Sequence, residues 1–150
     1  MQPTAIVLQS KRFPLAWDEL NADLTMWRKL LPVSACPSEI GNLARDDLVL
    51  KPAFGRVGED VAIRGVTVMP QYNEILRSVR KRETQWIAQQ RFDVIPVPTA
   101  NGDEFPCIGV YTVNGKMAGL YGRSAPTALI NQDAQDVPVL IRCTKTERLQ

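Results

Sequence analysis

The dipeptide Asn114-Gly115, set between the apolar runs CIGVYTV and KMAGLYG, constrains this chain more than any other feature. Both residues tolerate positive φ, which a two-residue hairpin turn demands if its twist is to match that of the strands it joins. Residues 107 to 123 therefore read as a long β-hairpin. Shorter strands are expected at Ala5 to Leu8, Leu48 to Lys51, Val61 to Val66, in WIAQQRF (86 to 92) and in VPVLIR (137 to 142).

Between the strands, Trp17, Leu20, Leu24, Trp27 and Leu31 recur at three and four residues, the period of an amphipathic helix, and Pro32 ends the pattern. QYNEILRSVRKR (71 to 82) predicts a second helix through Ile75, Leu76 and Val79, its basic end suiting the negative pole of the helix dipole. Residues 33 to 47 and 96 to 106 mix proline, glycine and acids without period and read as loops. The order predicts an α+β fold, mainly antiparallel sheet with flanking helices, in a single domain over residues 1 to 150.

Composition removes several function classes. The chain is 45% hydrophobic, enough for a core, and 18 Lys and Arg against 16 Asp and Glu leave a net charge of +2, without the bias of a general nucleic-acid binder. No apolar run is long enough for a membrane span, and the first residues lack the pattern of a signal peptide, so the expected location is the cytoplasm, with neither membrane nor nucleic acid as a partner. With no histidine, imidazole-dependent triads and imidazole metal sites are excluded. Cys36, Cys107 and Cys143 have no zinc-type spacing and read as reduced core residues.

The stretch VLKPAFGRVGEDVAIRGV (49 to 66) places Lys51 at the end of one strand and Arg56 between Gly55 and Gly58. Glycine lets backbone N–H groups approach an anion closely, and a lysine at a strand end adds a compact positive charge. The segment reads either as a phosphate clamp or as a plain hairpin with a solvated lysine. It is not a Walker loop, since no Gly-Lys-Ser/Thr follows.

Taken in order, VLKPAFGRVGEDVAI, WIAQQRF and FPCIGVYTVNGKMAGLYGRSAP, preceded by LQSKRFPLAWDEL and WRKLLP, resemble the carboxy-terminal ATP-binding part of the glutathionylspermidine synthase family, within the ATP-grasp superfamily of carbon-nitrogen ligases. The resemblance runs from about Val7 to Ile141. It implies an ATP-grasp-like half with nucleotide as ligand. Lys51 matches the lysine that contacts nucleotide phosphate, and Gly55, Arg56 and Gly58 match the loop that covers it. Gln89, Gln90, Arg91 and Phe92 fall where the chain edges the adenine. Arg28 stands where the family places a further nucleotide-contacting lysine, and Leu129, Ile130 and Asn131 fall near another contact segment. Arg123 either faces the same cleft or forms a hairpin-end ion pair.

The reaction implied by the family is acyl phosphate formation from ATP followed by attack of an amine. The resemblance also implies Mg2+, whose ligands lie in the family upstream of the part matched, so they are expected from outside this chain, such as a separate chain carrying the metal and substrate half. Asp46-Asp47, Glu59-Asp60 and Asp103-Glu104 read as solvated turns rather than metal ligands, and no catalytic residue is assigned. The alternative is a non-catalytic interaction domain that retains the fold.

Overall fold

Two neighbouring strands, each opening with three consecutive buried residues, organise the first half of the chain. The structure is a computed structural model that describes residues 3–142. Its elements in chain order are α1 (Pro3–Gln9), a 3-10 turn (Phe13–Glu19), α2 (Thr25–Leu30), β1 (Ser34–Ala35), β2 (Leu48–Pro52), β3 (Ala62–Ile63), α3 (Met69–Lys81) and β4 (Trp86–Gln90). They are followed by β5 (Val97–Thr99), β6 (Gly102–Val113), β7 (Lys116–Ala125) and β8 (Gln135–Val137). The chain divides after Val94 into two compact units, each with its own four-stranded antiparallel sheet. The α+β class is as expected.

In the first unit the sheet order is β1-β4-β2-β3. Leu50 of β2 and Trp86 and Ala88 of β4 cluster with Tyr72, Ile75, Leu76 and Val79, the apolar stripe of α3. Leu50 and Val79 are 1% and 0% exposed, so this is a closed core. Side chains one position along a strand point to the opposite face, which places Lys51, Ile87 and Gln89 together on the face away from α3. Thr67 joins β3 to α3: its hydroxyl donates to Val61 O (3.1 Å) and accepts from Ile63 N–H (3.0 Å).

The second unit has the order β5-β6-β7-β8. Asn114 (φ 50°) and Gly115 (φ 73°) form the expected turn, with Val113 paired to Lys116 and a register irregularity at Tyr111/Thr112. Gly122 must be small: a Cβ there would lie 2.9 Å from Val137 O and 2.7 Å from Val139 Cγ2.

Several expectations are corrected. Ala5 to Leu8 lies in α1 rather than a strand, since no strand among the described residues pairs with it. The helix expected over Trp17 to Leu31 is two short pieces, because Asp23 Oδ1 accepts the Thr25 N–H (3.0 Å) and gives the backbone a local alternative to continuing the helix. In the hairpin expected over residues 49 to 66, the second strand is only Ala62–Ile63, ended by the turn through Gly65 (φ 78°). Segments expected to be loops supply β1, which pairs with β4, and β5, which pairs with β6 through a turn closed by Gly102 (φ 113°). The last strand stops at Val137, where Pro138 offers no N–H to the ladder. Cys36 is half-buried and Cys107 lies exposed on β6, so neither is a core residue; Cys143 lies outside the described residues.

Candidate functional site

Lys51 and Gln89 are diagonal neighbours on the face of the first sheet away from α3, since Lys51 pairs with Ile87 and Gln89 sits two residues further along β4. Lys51 Nζ donates to Gln89 Oε1 at 2.5 Å. Gln89 Nε2 donates to Ser34 Oγ (3.2 Å), and the Ser34 hydroxyl donates to Pro32 O (3.3 Å), which fixes the amide with its carbonyl toward the lysine. Gln89 is thus the residue that positions Lys51.

These groups line a cleft of about 480 Å³ within the first unit. Its walls are apolar and aromatic, with Leu8, Phe13, Trp17, Leu24, Trp27, Leu31 and Ile87, and it also admits Lys11. Trp17, Leu24, Trp27 and Leu31 are four of the five residues whose spacing predicted one long helix. The shared apolar face is present, but it lines a cleft.

Lys11 is a second cation at the cleft, one that no motif in the sequence singles out. Its N–H donates to Ala53 O (2.8 Å), pinning the end of α1 to the exit of β2, and its Nζ donates to Gly55 O (2.8 Å). The only signal for it in the sequence is the lysine of QSKRFP, within the stretch that resembles the family's approach to the nucleotide site. Burial pulls the Lys11 amine below the usual lysine range, and burial and then repulsion from Lys11 do the same to Lys51. Among the described residues no carboxylate pairs with either lysine. Two partly desolvated cations without a counter-ion, at the edge of an aromatic cleft, form a site for an anion attached to an apolar body.

Gly55 begins the turn tied to Lys11, and a Cβ at this position would stand 2.9 Å from Pro52 Cγ, so the close approach requires glycine. Gly58 has φ 73°, and the β-branched Val57 between Arg56 and Gly58 has φ 46°, a costly conformation for that side chain. Arg56 is exposed. The turn adjoins Lys11 through Gly55 without lining the cleft.

The other expected site residues lie elsewhere. Arg28 forms an ion pair with Asp18 (2.7 Å), lies 5.7 Å from the Trp17 ring centre and lines a neighbouring depression with Arg12 and Cys36. Gln90 N–H donates to Val33 O and Arg91 N–H to Asp47 O, both at 2.8 Å. The Arg91 guanidinium donates to Asp46 O and Arg64 O, tying down two loops, and Phe92 is exposed beside a shallow depression with Leu30 and Pro32. Leu129, Ile130 and Asn131 belong to the second unit, where Asn131 O accepts from Arg123 Nη2 (2.8 Å). Arg123 also reaches Ala134 O (3.0 Å) and pairs with Asp136 (3.5 Å), so it holds the approach to β8.

A family model described as glutathionylspermidine synthase preATP-grasp matches residues 3–142. The chain belongs to the glutathionylspermidine synthase family. That match is to the family's preATP-grasp part, which corrects the sequence-based assignment to the carboxy-terminal ATP-binding part. No curated protein and no solved structure matches the chain. Among the described residues no helix is long and apolar enough to cross a membrane.

The residues present do not fit a metal ion. Among the described residues there is no group of three or more carboxylate or thiol side chains suited to holding one. Asp46 pairs with Arg64 (3.5 Å), Asp47 with Arg45, and Glu104 accepts from Ser124 (2.6 Å), so these acids serve local structure.

Proposed function

We propose that the first unit of this glutathionylspermidine synthase family member is a nucleotide-binding module of an ATP-dependent carbon-nitrogen ligase. The observation that supports this most directly is the placing of Lys11 and Lys51, without acid partners, at an aromatic cleft. In this reading the lysines take phosphate oxygens, the turn Gly55 to Gly58 covers them, and the apolar wall receives the base. Metal ligands and the acid and amine substrates are supplied outside the described residues, by a further segment or a separate chain.

The reading is tested by thermal unfolding at millimolar Mg-ATP. A ligand that binds only the folded state raises the midpoint in proportion to its occupancy, so a shift in the wild type that Lys51→Ala removes is expected. No shift in the wild type defeats the reading. A coupled assay is expected to give no ADP release above background from the chain alone with acid and amine pairs. Substrate-dependent release abolished by Lys51→Ala would instead place a metal ligand on this chain, with Glu59, Asp60, Asp103 and Glu104 the residues to re-examine.

One observation favours a second reading, a non-catalytic interaction domain. Ile108, Val110, Tyr111, Val113 and Met117 of the β6–β7 hairpin are each more than half exposed, an apolar surface of the kind protein partners cover. A stable complex together with no response to nucleotide would select it.

A further inference from the structure

An amine that is partly desolvated, lies beside a second cation and lacks a carboxylate partner has the surroundings that make lysine a nucleophile rather than a fixed charge. Lys51 meets all three conditions, and burial and then Lys11 hold its pKa down. Lys29, Lys81 and Lys116 are all exposed to solvent and lie outside the cleft. Gln89 Oε1 holds the amine from one side, with the amide fixed in turn by Ser34. We propose that the cleft is a covalent capture site for an anionic aromatic aldehyde, with Lys51 the condensing amine and Lys11 the cation that holds the anion.

The step balances without an oxidant or a reductant. The uncharged Lys51 amine, having released its proton to solvent, attacks the aldehyde carbon. The resulting carbinolamine loses its hydroxyl as water, and the carbon-nitrogen double bond of an imine forms. The product removes a poorly solvated ammonium from the cleft, so burial that disfavours the charged amine favours the imine. Phe13, Trp17 and Trp27 give the cleft an aromatic lining, and about 480 Å³ accommodates one ring with a phosphate. The inference uses the proposed nucleotide cleft but does not require that its usual ligand be a nucleotide.

The test uses the full chain with pyridoxal 5′-phosphate as the anionic aldehyde and pyridoxal as its counterpart without the phosphate. Imines are trapped with borohydride and located by mass spectrometry, and the same reaction in urea gives the intrinsic reactivity of each lysine. In the folded chain Lys51 is expected to be labelled several-fold faster than Lys29, Lys81 or Lys116, an advantage lost in urea. Lys11→Gln is expected to slow the phosphate-bearing aldehyde more than pyridoxal. Labelling spread over the exposed lysines, or Lys11 labelled ahead of Lys51, overturns the proposal. Selective labelling of Lys51 that excess ATP fails to block would retain this site while counting against the nucleotide reading. ATP stabilisation without selective labelling would do the reverse.

Discussion

Both units carry four antiparallel strands, but their sheets are held by different means. In the first, α3 covers one face and brings Leu50, Trp86, Ala88 and Val79 together, while the other face carries Lys51 and Gln89 beside a buried Ile87, beneath the N-terminal segments that line the cleft. In the second, most of β6 is exposed, and among the described residues the hydrophobic residues buried there are Ala125 and Ala134. Its order comes from the Asn114-Gly115 turn, long register pairing and the close passage of β8 over Gly122. A site can be built with precision on the first sheet because its opposite face is anchored. The second sheet should instead be sensitive to backbone geometry and tolerant of side-chain truncation.

The sharpest way to break this contrast is to truncate one side chain in each sheet. Leu50→Ala in the closed core is expected to cost about 2–5 kcal/mol, and Val110→Ala on the exposed hairpin no more than about 0.5 kcal/mol. Urea unfolding of both proteins, followed by hydrogen exchange resolved to each unit, checks it; equal costs would erase the distinction. Gly122→Ala comes next, at about 1–3 kcal/mol, because the new Cβ meets a backbone carbonyl that can move only if β8 moves. Its signature is faster exchange in β7 and β8 with the first unit unchanged. A cost at the lower end of that range, about 1–2 kcal/mol, is expected for Gly115→Ala at φ 73°, read from the same unfolding curves.

A fourth prediction concerns pH. Lys51 and Lys11 both have folded-state pKa values below the 10.5 of a free lysine. Between the lowered folded values and 10.5 the unfolded chain binds more protons than the folded one, so stability rises with pH through that window. Below it both states are protonated, and the cost of confining the two charges is present in full. Lys51→Met should therefore raise stability at neutral pH and flatten the alkaline rise. An unchanged pH profile would mean that Lys51 is solvated in the folded protein.

How far the sequence exposes this architecture differs by element. Asn114-Gly115 specifies its hairpin locally, and the stripe Tyr72, Ile75, Leu76 and Val79 specifies α3, because both signals lie within one element. The break at Asp23 was hidden because a single side-chain hydrogen bond competes with a good helical period. β1 has only two residues and exists through its pairing with β4, which no local pattern encodes. At the site, Lys51 was legible from its strand-end position before the glycine turn. Lys11 was not, since it reaches the site through backbone contacts with Ala53 and Gly55, more than 40 residues away in sequence. Gln89 was expected where the chain edges a ligand; it lines the cleft, and its side chain holds Lys51.

The central claim is that Lys11 and Lys51 act together as one anion site in the cleft on the face of the first sheet away from α3. It is tested most directly by titrating ATP calorimetrically into wild type, Lys11→Ala, Lys51→Ala and the double variant. Each single change is expected to weaken binding by about 1.5–3 kcal/mol, the range for a hydrogen bond to a charged group. The double variant is expected to lose less than the sum, because neighbouring groups on one ligand are coupled. Four equal affinities, or wild-type affinity retained in the double variant, would contradict the account.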